Sequence, residues 1–323
     1  MKRIGLAVAA LTLLAGTTVS TQAGAPAGPT MSIYASVPSP YGLALDAANN
    51  VYVSTNVQFI NQPGGKIQTI AASNQAISTL ASNLVTPAFI TPNAGNLFVV
   101  QDGGTSANNN VMQVMLPGGA ASSFIGGNAL LNNPLAVAFD GAGNFYVTND
   151  GDSWVIKYTS SSDTGTRWVQ VPGGVGLADI VYRNGTLYVA HATGTIWTIP
   201  TSGPGAGTAS PLSITGASIA NPVGLTFDSA GDLFVTDQSG GAVYKISTSG
   251  AASLYASGAP LSAPAGIVAD PAGNLYVANP GDNEVIKIAP PPQPVPALQG
   301  WAAAAFLTLL AGLGIMTMRG RAA

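Results

Sequence analysis

The chain contains no cysteine. That absence removes disulfides, thiol nucleophiles and thiolate metal sites together. It has one histidine, His191, and one glutamate, Glu284, so a metal centre built from imidazole and Glu ligands has almost nothing to draw on. Charged residues make up only 7% of the 323, too few for a solvated, disordered chain. Setting aside the terminal segments, six basic residues stand against thirteen acidic ones. No basic patch interleaves with aromatics, so nucleic acid is not an expected partner. What is abundant is glycine, 40 residues, within a composition that is 47% apolar. This balance favours strands and tight turns, in a chain long enough to bury a sizeable core.

Both ends read as processing or anchoring segments. In residues 1–25, Lys2-Arg3, the apolar run IGLAVAALTLLAG and the small-residue stretch TQAGA form a signal-peptide pattern cut near Ala23 or Ala25. Residues 290–296 belong to the tract APPPQPVP, a stiff spacer of about 3 Å per residue. Residues 297–323 carry an apolar run from Trp301 to Met318, expected as a transmembrane helix about 27 Å long. Arg319 and Arg321 follow it and would keep the C-terminus cytoplasmic. The motif VPALQGW, with Val295, Pro296, Leu298 and Trp301 ahead of that span, resembles the IPTL-type C-terminal sorting signals of Gram-negative bacteria, relatives of PEP-CTERM signals. The resemblance implies a sorting transpeptidase of exosortase type as a partner. It also implies export to the periplasm, outer surface or extracellular matrix, with at least transient membrane anchoring.

Residues 26–289 repeat. An aromatic-Val pair recurs at Tyr52-Val53, Phe98-Val99, Tyr146-Val147, Tyr188-Val189, Phe234-Val235 and Tyr276-Val277, at intervals of 46, 48, 42, 46 and 42 residues. Periods of this size mark a solenoid or a propeller. Ten residues before each aromatic stands a small residue: Gly42, Ala88, Ala136, Ala178, Gly224 and Gly266. Turns such as DGAGN and DPAGN separate the apolar runs, with Asp bonding local amides and Gly accepting positive φ. Four short strands per unit, six units and no helical period predict an all-β, six-bladed β-propeller with four-stranded blades. The segment MSIYASVPSPYGLALD aligns with ASLYASGAPLSAPAGIVAD. An N-terminal strand, Met31 to Val37, should therefore close the last blade and cover its edge. The pattern PxGIAxDxxGNLYVxN…VxKI resembles NHL repeats across roughly residues 31–289.

Polar residues three after each aromatic, Thr55, Gln101, Asn149, His191, Asp237 and Asn279, are expected to ring the channel mouth as a binding rim. Virginiamycin B lyase-like propellers, whose repeats the NHL pattern also resembles, place His at the x of PxG and Glu on this rim. Here x is Tyr41, Pro87, Leu135, Leu177, Val223 or Ala265. The gluconolactonase-like and amidating-lyase-like relatives also use converging acidic or His ligands. Asp179 stands where other units carry Leu43, Phe89, Val137, Leu225 or Ile267. In simple register it would lie diagonally across from His191 as a candidate acid–base pair. Asp150, Asp152 and Asp282, in NDGDS and NPGDN, are candidate oxygen ligands for Ca²⁺ or another divalent ion, without EF-hand spacing.

Two functions follow. One is an exported, anchored binding or scaffold module for a protein, peptide or glycan. The other is a propeller hydrolase, lactonase or lyase using a divalent ion in the channel. The scarcity of reactive residues favours the binding module, with no cofactor.

Overall fold

The computed structural model describes residues 28–55, 63–105, 108–127, 129–159 and 164–292. The signal-peptide pattern, the sorting motif and the apolar C-terminal run lie outside the described residues. Within them every regular element is a strand, and no helix is long and apolar enough to cross a membrane.

The strands form six four-stranded antiparallel sheets. The first strands are Pro40–Leu45, Pro87–Asn93, Pro134–Phe139, Leu177–Arg183, Pro222–Phe227 and Ile267–Ala269. They pack side by side in chain order, and the first and last also touch, which closes the ring. The second strands are Val51–Thr55, Asn96–Gln101, Asn144–Asn149, Thr186–His191, Leu233–Asp237 and Leu275–Asn279. As expected, blade 6 takes its outer strand from the N-terminal side: Thr30–Ser36 pairs with Glu284–Ala289, Met31 opposite Ile288.

Blades stack face to face, so the second strands are buried on both sides. The valine of each aromatic-Val pair is fully buried in all six blades. Burying one such side chain contributes roughly 2 kcal/mol, which makes these strands the main source of cohesion between blades.

The small-residue ring is the waist of the channel. A Cβ on Gly42 would meet Ala88 O at 2.5 Å, and one on Gly266 would meet Tyr41 O at 2.4 Å. Here one first strand runs directly against the backbone of its neighbour. Six polar contacts stitch the joints between first strands. The Ser54 hydroxyl donates to Ala88 O, Thr148 to Ala178 O and Thr236 to Ala265 O. Thr91 donates to Val137 O, the Leu225 amide donates to Asp179, and the Gly266 amide donates to Tyr41 O.

The hairpin aspartates act as turn residues. Asp270 accepts from the amides of Ala272 and Asn274 and from the Asn274 side chain; Asp46 and Asp140 repeat this pattern. Units two and four lack this Asp and turn differently. Their strands meet at Asn93–Asn96 and Arg183–Thr186, and both central residues of each turn have positive φ: Ala94 with Gly95, Asn184 with Gly185. That is the tight two-residue hairpin, whose twist matches the strands it joins.

Candidate functional site

The channel has two unlike ends. At the end reached by the loops that lead into the first strands, the six expected rim residues are all buried, none more than 3% exposed. They do not form an open polar mouth. In four blades the side chain reaches back to the loop before its own first strand. Asn149 donates to Leu130 O, and His191 Nε2 lies 3.0 Å from Gly174 O. Asp237 accepts from the amides of Ala220 and Asn221, and Asn279 accepts from the Ser262 amide and donates to Pro260 O. A polar side chain at this position latches a loop to the end of the second strand. Thr55 and Gln101 are buried at the same level, and Gln101 Nε2 has no hydrogen-bond partner among the described residues.

The expected Asp179–His191 pair does not form. A bulge between Leu177 and Ile180 interrupts the register of the blade-4 hairpin, which breaks the simple diagonal relation. His191 Nδ1 instead accepts from the Thr193 amide and lies 2.9 Å from its hydroxyl. Asp179 Oδ1 accepts from the Ile180 amide at 2.8 Å, and Oδ2 accepts from the Leu225 amide of the next blade at 2.9 Å. Burial pushes the Asp179 carboxyl up to about 7, and the two amides only partly offset that. The loop-end carboxylate of Asp237 goes the other way. Burial opposes its charge, but the amides of Ala220, Gly240 and Asn221 and the Ser239 hydroxyl outweigh it and hold the group below the usual carboxylate range.

The candidate cation ligands are each engaged by protein donors. Asp150 accepts from the Asn133 side chain, and burial raises its pKa. Asp152 pairs with Arg167 at 3.1 Å, and Asp282 takes the Asn279 side-chain amide at 3.4 Å. No three His, Asp or Glu side chains among the described residues converge in a way that could hold a metal ion.

On the hairpin side of the waist lies a cavity of about 330 Å³, lined by all six first strands. Its walls are mostly apolar: Leu43, Phe89, Ile90, Phe139, Ile180, Leu225 and Ile267 among others. Asp179, 8% exposed, stands one residue past the waist and lines this cavity. Sequence reading singled out Asp179 but missed the cavity, because the residues after each small position look like ordinary core. The lone Asp among them was the available signal.

No family model matches the chain, and no curated protein does. Solved structures do. An auxiliary nutrient binding protein from Bacteroides thetaiotaomicron matches over 79% of this chain and 69% of its own, at 13% identity and a TM-score of 0.66. A candidate gluconolactonase matches over 82% and 93%, at 15% and 0.65. Virginiamycin B lyase from Staphylococcus aureus matches over 81% and 99%, at 15% and 0.58. At these identities the likeness establishes the fold alone: an all-β, six-bladed propeller with four-stranded blades.

Proposed function

We propose that this propeller is an exported, envelope- or surface-anchored binding or scaffold module for a protein, peptide or glycan. It would be delivered by its N-terminal signal and sorted by an exosortase-type transpeptidase acting on its C-terminal motif. One observation carries the reading. In four of the six blades the polar side chain at the loop end of the channel is committed to loop backbone, which shapes the loops into a recognition surface. Loops latched in this way are preorganised, which lowers the ordering cost of binding. In this role Asn149, His191, Asp237 and Asn279 are positioning residues beneath the partner-facing loops. The fold shared with a nutrient binding protein is compatible with it.

The second reading, a hydrolase, lactonase or lyase, has one observation in its favour. Asp179 titrates near neutrality in a channel cavity, a property suited to a general acid or base. The deciding experiment incubates the purified full chain with a panel of lactones and esters, with and without added divalent ions, beside capture on immobilised envelope glycans and peptides. The binding reading expects capture without turnover. Ion-dependent turnover abolished by Asp179→Asn would replace it with the enzyme.

A further inference from the structure

We propose that the hairpin-side cavity is a binding site for a small apolar molecule carrying a primary ammonium group, with the Asp179 carboxylate as its counter-ion. The inference rests on the binding reading and adds the site and the ligand class.

Three features lead to it. The first is that Asp179 is chemically out of place as a joint. Five of the six joints between first strands use hydroxyls or backbone groups, all neutral. Only the joint between blades 4 and 5 uses an ionisable side chain. Thr91 ties its joint with a neutral hydroxyl that donates to a carbonyl, so a joint can be made without taking a charge out of water, which is costly unless the charge is paired. A ligand that supplies the pairing charge gives the carboxylate a use that the joint does not need.

The second feature is the wall. Asp179 and Arg183 are the only charged side chains on the six first strands. Arg183 sits at the far end of its strand, its guanidinium 4.9 Å from the Phe227 ring and donating to Asp228 O. Apart from the neutral polar side chains of Thr91, Asn93 and Thr226, the rest of the cavity is aliphatic or aromatic, a lining suited to the apolar body of a small ligand.

The third is the approach. The hairpins bordering the cavity carry five carboxylates, Asp46, Asp140, Asp228, Asp232 and Asp270; Arg183 donates to Asp228 O, Lys245 pairs with Asp232, and Lys157 and Lys287 lie farther out over the Tyr146 and Tyr276 rings. Hydrogen bonds at the turns hold Asp46 and Asp140 below the usual carboxylate range despite their partial burial. A mouth of this sign concentrates cations and repels carboxylates.

No cationic side chain among the described residues pairs with Asp179. Tyr41 of blade 1 is near enough to feel the charges of both Asp179 and Asp150. The neighbouring first strands of blades 3 and 5 bring no ionisable side chain. The paired second strand brings only Tyr188 and His191, and the strand of Asp179 itself adds Tyr182 and Arg183.

The test uses the full chain and three probes of one shape: benzylamine, benzyl alcohol and benzoate, titrated by calorimetry at pH 8 and pH 5.5. Benzylamine should bind at least ten-fold more tightly than benzyl alcohol at pH 8, and benzoate should give no saturable heat. At pH 5.5, with Asp179 protonated, the preference should fall to within about two-fold. Asp179→Asn should remove the preference at pH 8. Because that change also alters a joint, Ala138→Phe, which fills the cavity without touching the carboxylate, should weaken benzylamine and benzyl alcohol alike. Equal binding of the three probes, or a preference for the amine that survives Asp179→Asn in a folded variant, overturns the proposal. Saturable binding of benzyl alcohol or benzoate without a preference for the amine would sink the ammonium site while leaving the binding module standing.

Discussion

The two ends of the channel each bury a carboxylate, and the two titrate in opposite directions. Asp237, at the loop end, accepts from three amides and a hydroxyl and is held below its ordinary range. Asp179, on the hairpin side, accepts from two amides and is pushed up to about 7. Both side chains expose little surface, but Asp179 lies much deeper in the protein, so desolvation weighs more on it, and it has two donors where Asp237 has four. The lesson is that a carboxylate in this fold is a latch where it is shallow and saturated by donors, and a titrating group where it is deep and only partly satisfied.

The largest effect should come from Asp179. A carboxyl whose folded-state pKa lies above its unfolded value binds more protons when folded, so stability falls as pH rises from about 4 through 7. A shift from 3.8 to about 7 corresponds to at most about 4 kcal/mol at 1.4 kcal/mol per unit. Denaturant midpoints of the wild type should therefore drop between pH 5 and pH 8, and Asp179→Asn should flatten that slope. A wild-type midpoint that is level across this range would erase the contrast between the two ends.

The waist that separates the ends comes next. In Gly42→Ala the new methyl meets Ala88 O at 2.5 Å and Phe89 Cα at 2.6 Å. Both are backbone atoms of the next blade, so the ring must open to make room. Overpacking of this kind costs about 3 kcal/mol, and both ends should loosen together, visible as faster hydrogen exchange in loops and hairpins alike. Asp237→Ala acts at one end only. It strands the amides of Ala220, Asn221 and Gly240 and should cost about 2 kcal/mol, with faster exchange confined to the loop before blade 5. Its pH signature is opposite to that of Asp179. A lowered folded-state pKa contributes stability above the unfolded pKa, and this is lost as pH falls through the folded one. The gap between wild type and variant should narrow as pH falls below the ordinary carboxylate range, which thermal melts at acid pH would check.

Most of the architecture was legible because it is local and repeated. The small residue ten before each aromatic predicted the crowded waist, and the alignment of Met31 to Val37 with blade 6 predicted the closing strand. The rim failed for a physical reason. A polar residue at a fixed offset looks the same whether it faces water or fills a loop's hydrogen-bond needs, and only the course of the loop decides. The Asp179–His191 pair failed because simple register was assumed, and one bulge re-aims every side chain near it. The hydroxyls at Ser54, Thr148 and Thr236 alternate with Val100, Ala190 and Ala278. That alternation was present in the sequence, but its meaning depends on which carbonyl of the neighbouring blade lies opposite.

The smallest effect sharpens the comparison most. Thr91 joins blades 2 and 3 by donating to Val137 O at 2.6 Å, and it lines the same cavity as Asp179. Valine keeps its shape and its preference for strands, so Thr91→Val deletes one hydrogen bond and strands no amide. The cost should be about 1 kcal/mol. Because nothing in this joint titrates, the loss should be equal at pH 5 and pH 8, measured by chemical denaturation. The joint at Asp179 should differ between the same two pH values. If both joints responded to pH alike, the charge at blade 4 would be a passive fastener like the threonine, with no call for a cation in the cavity beside it.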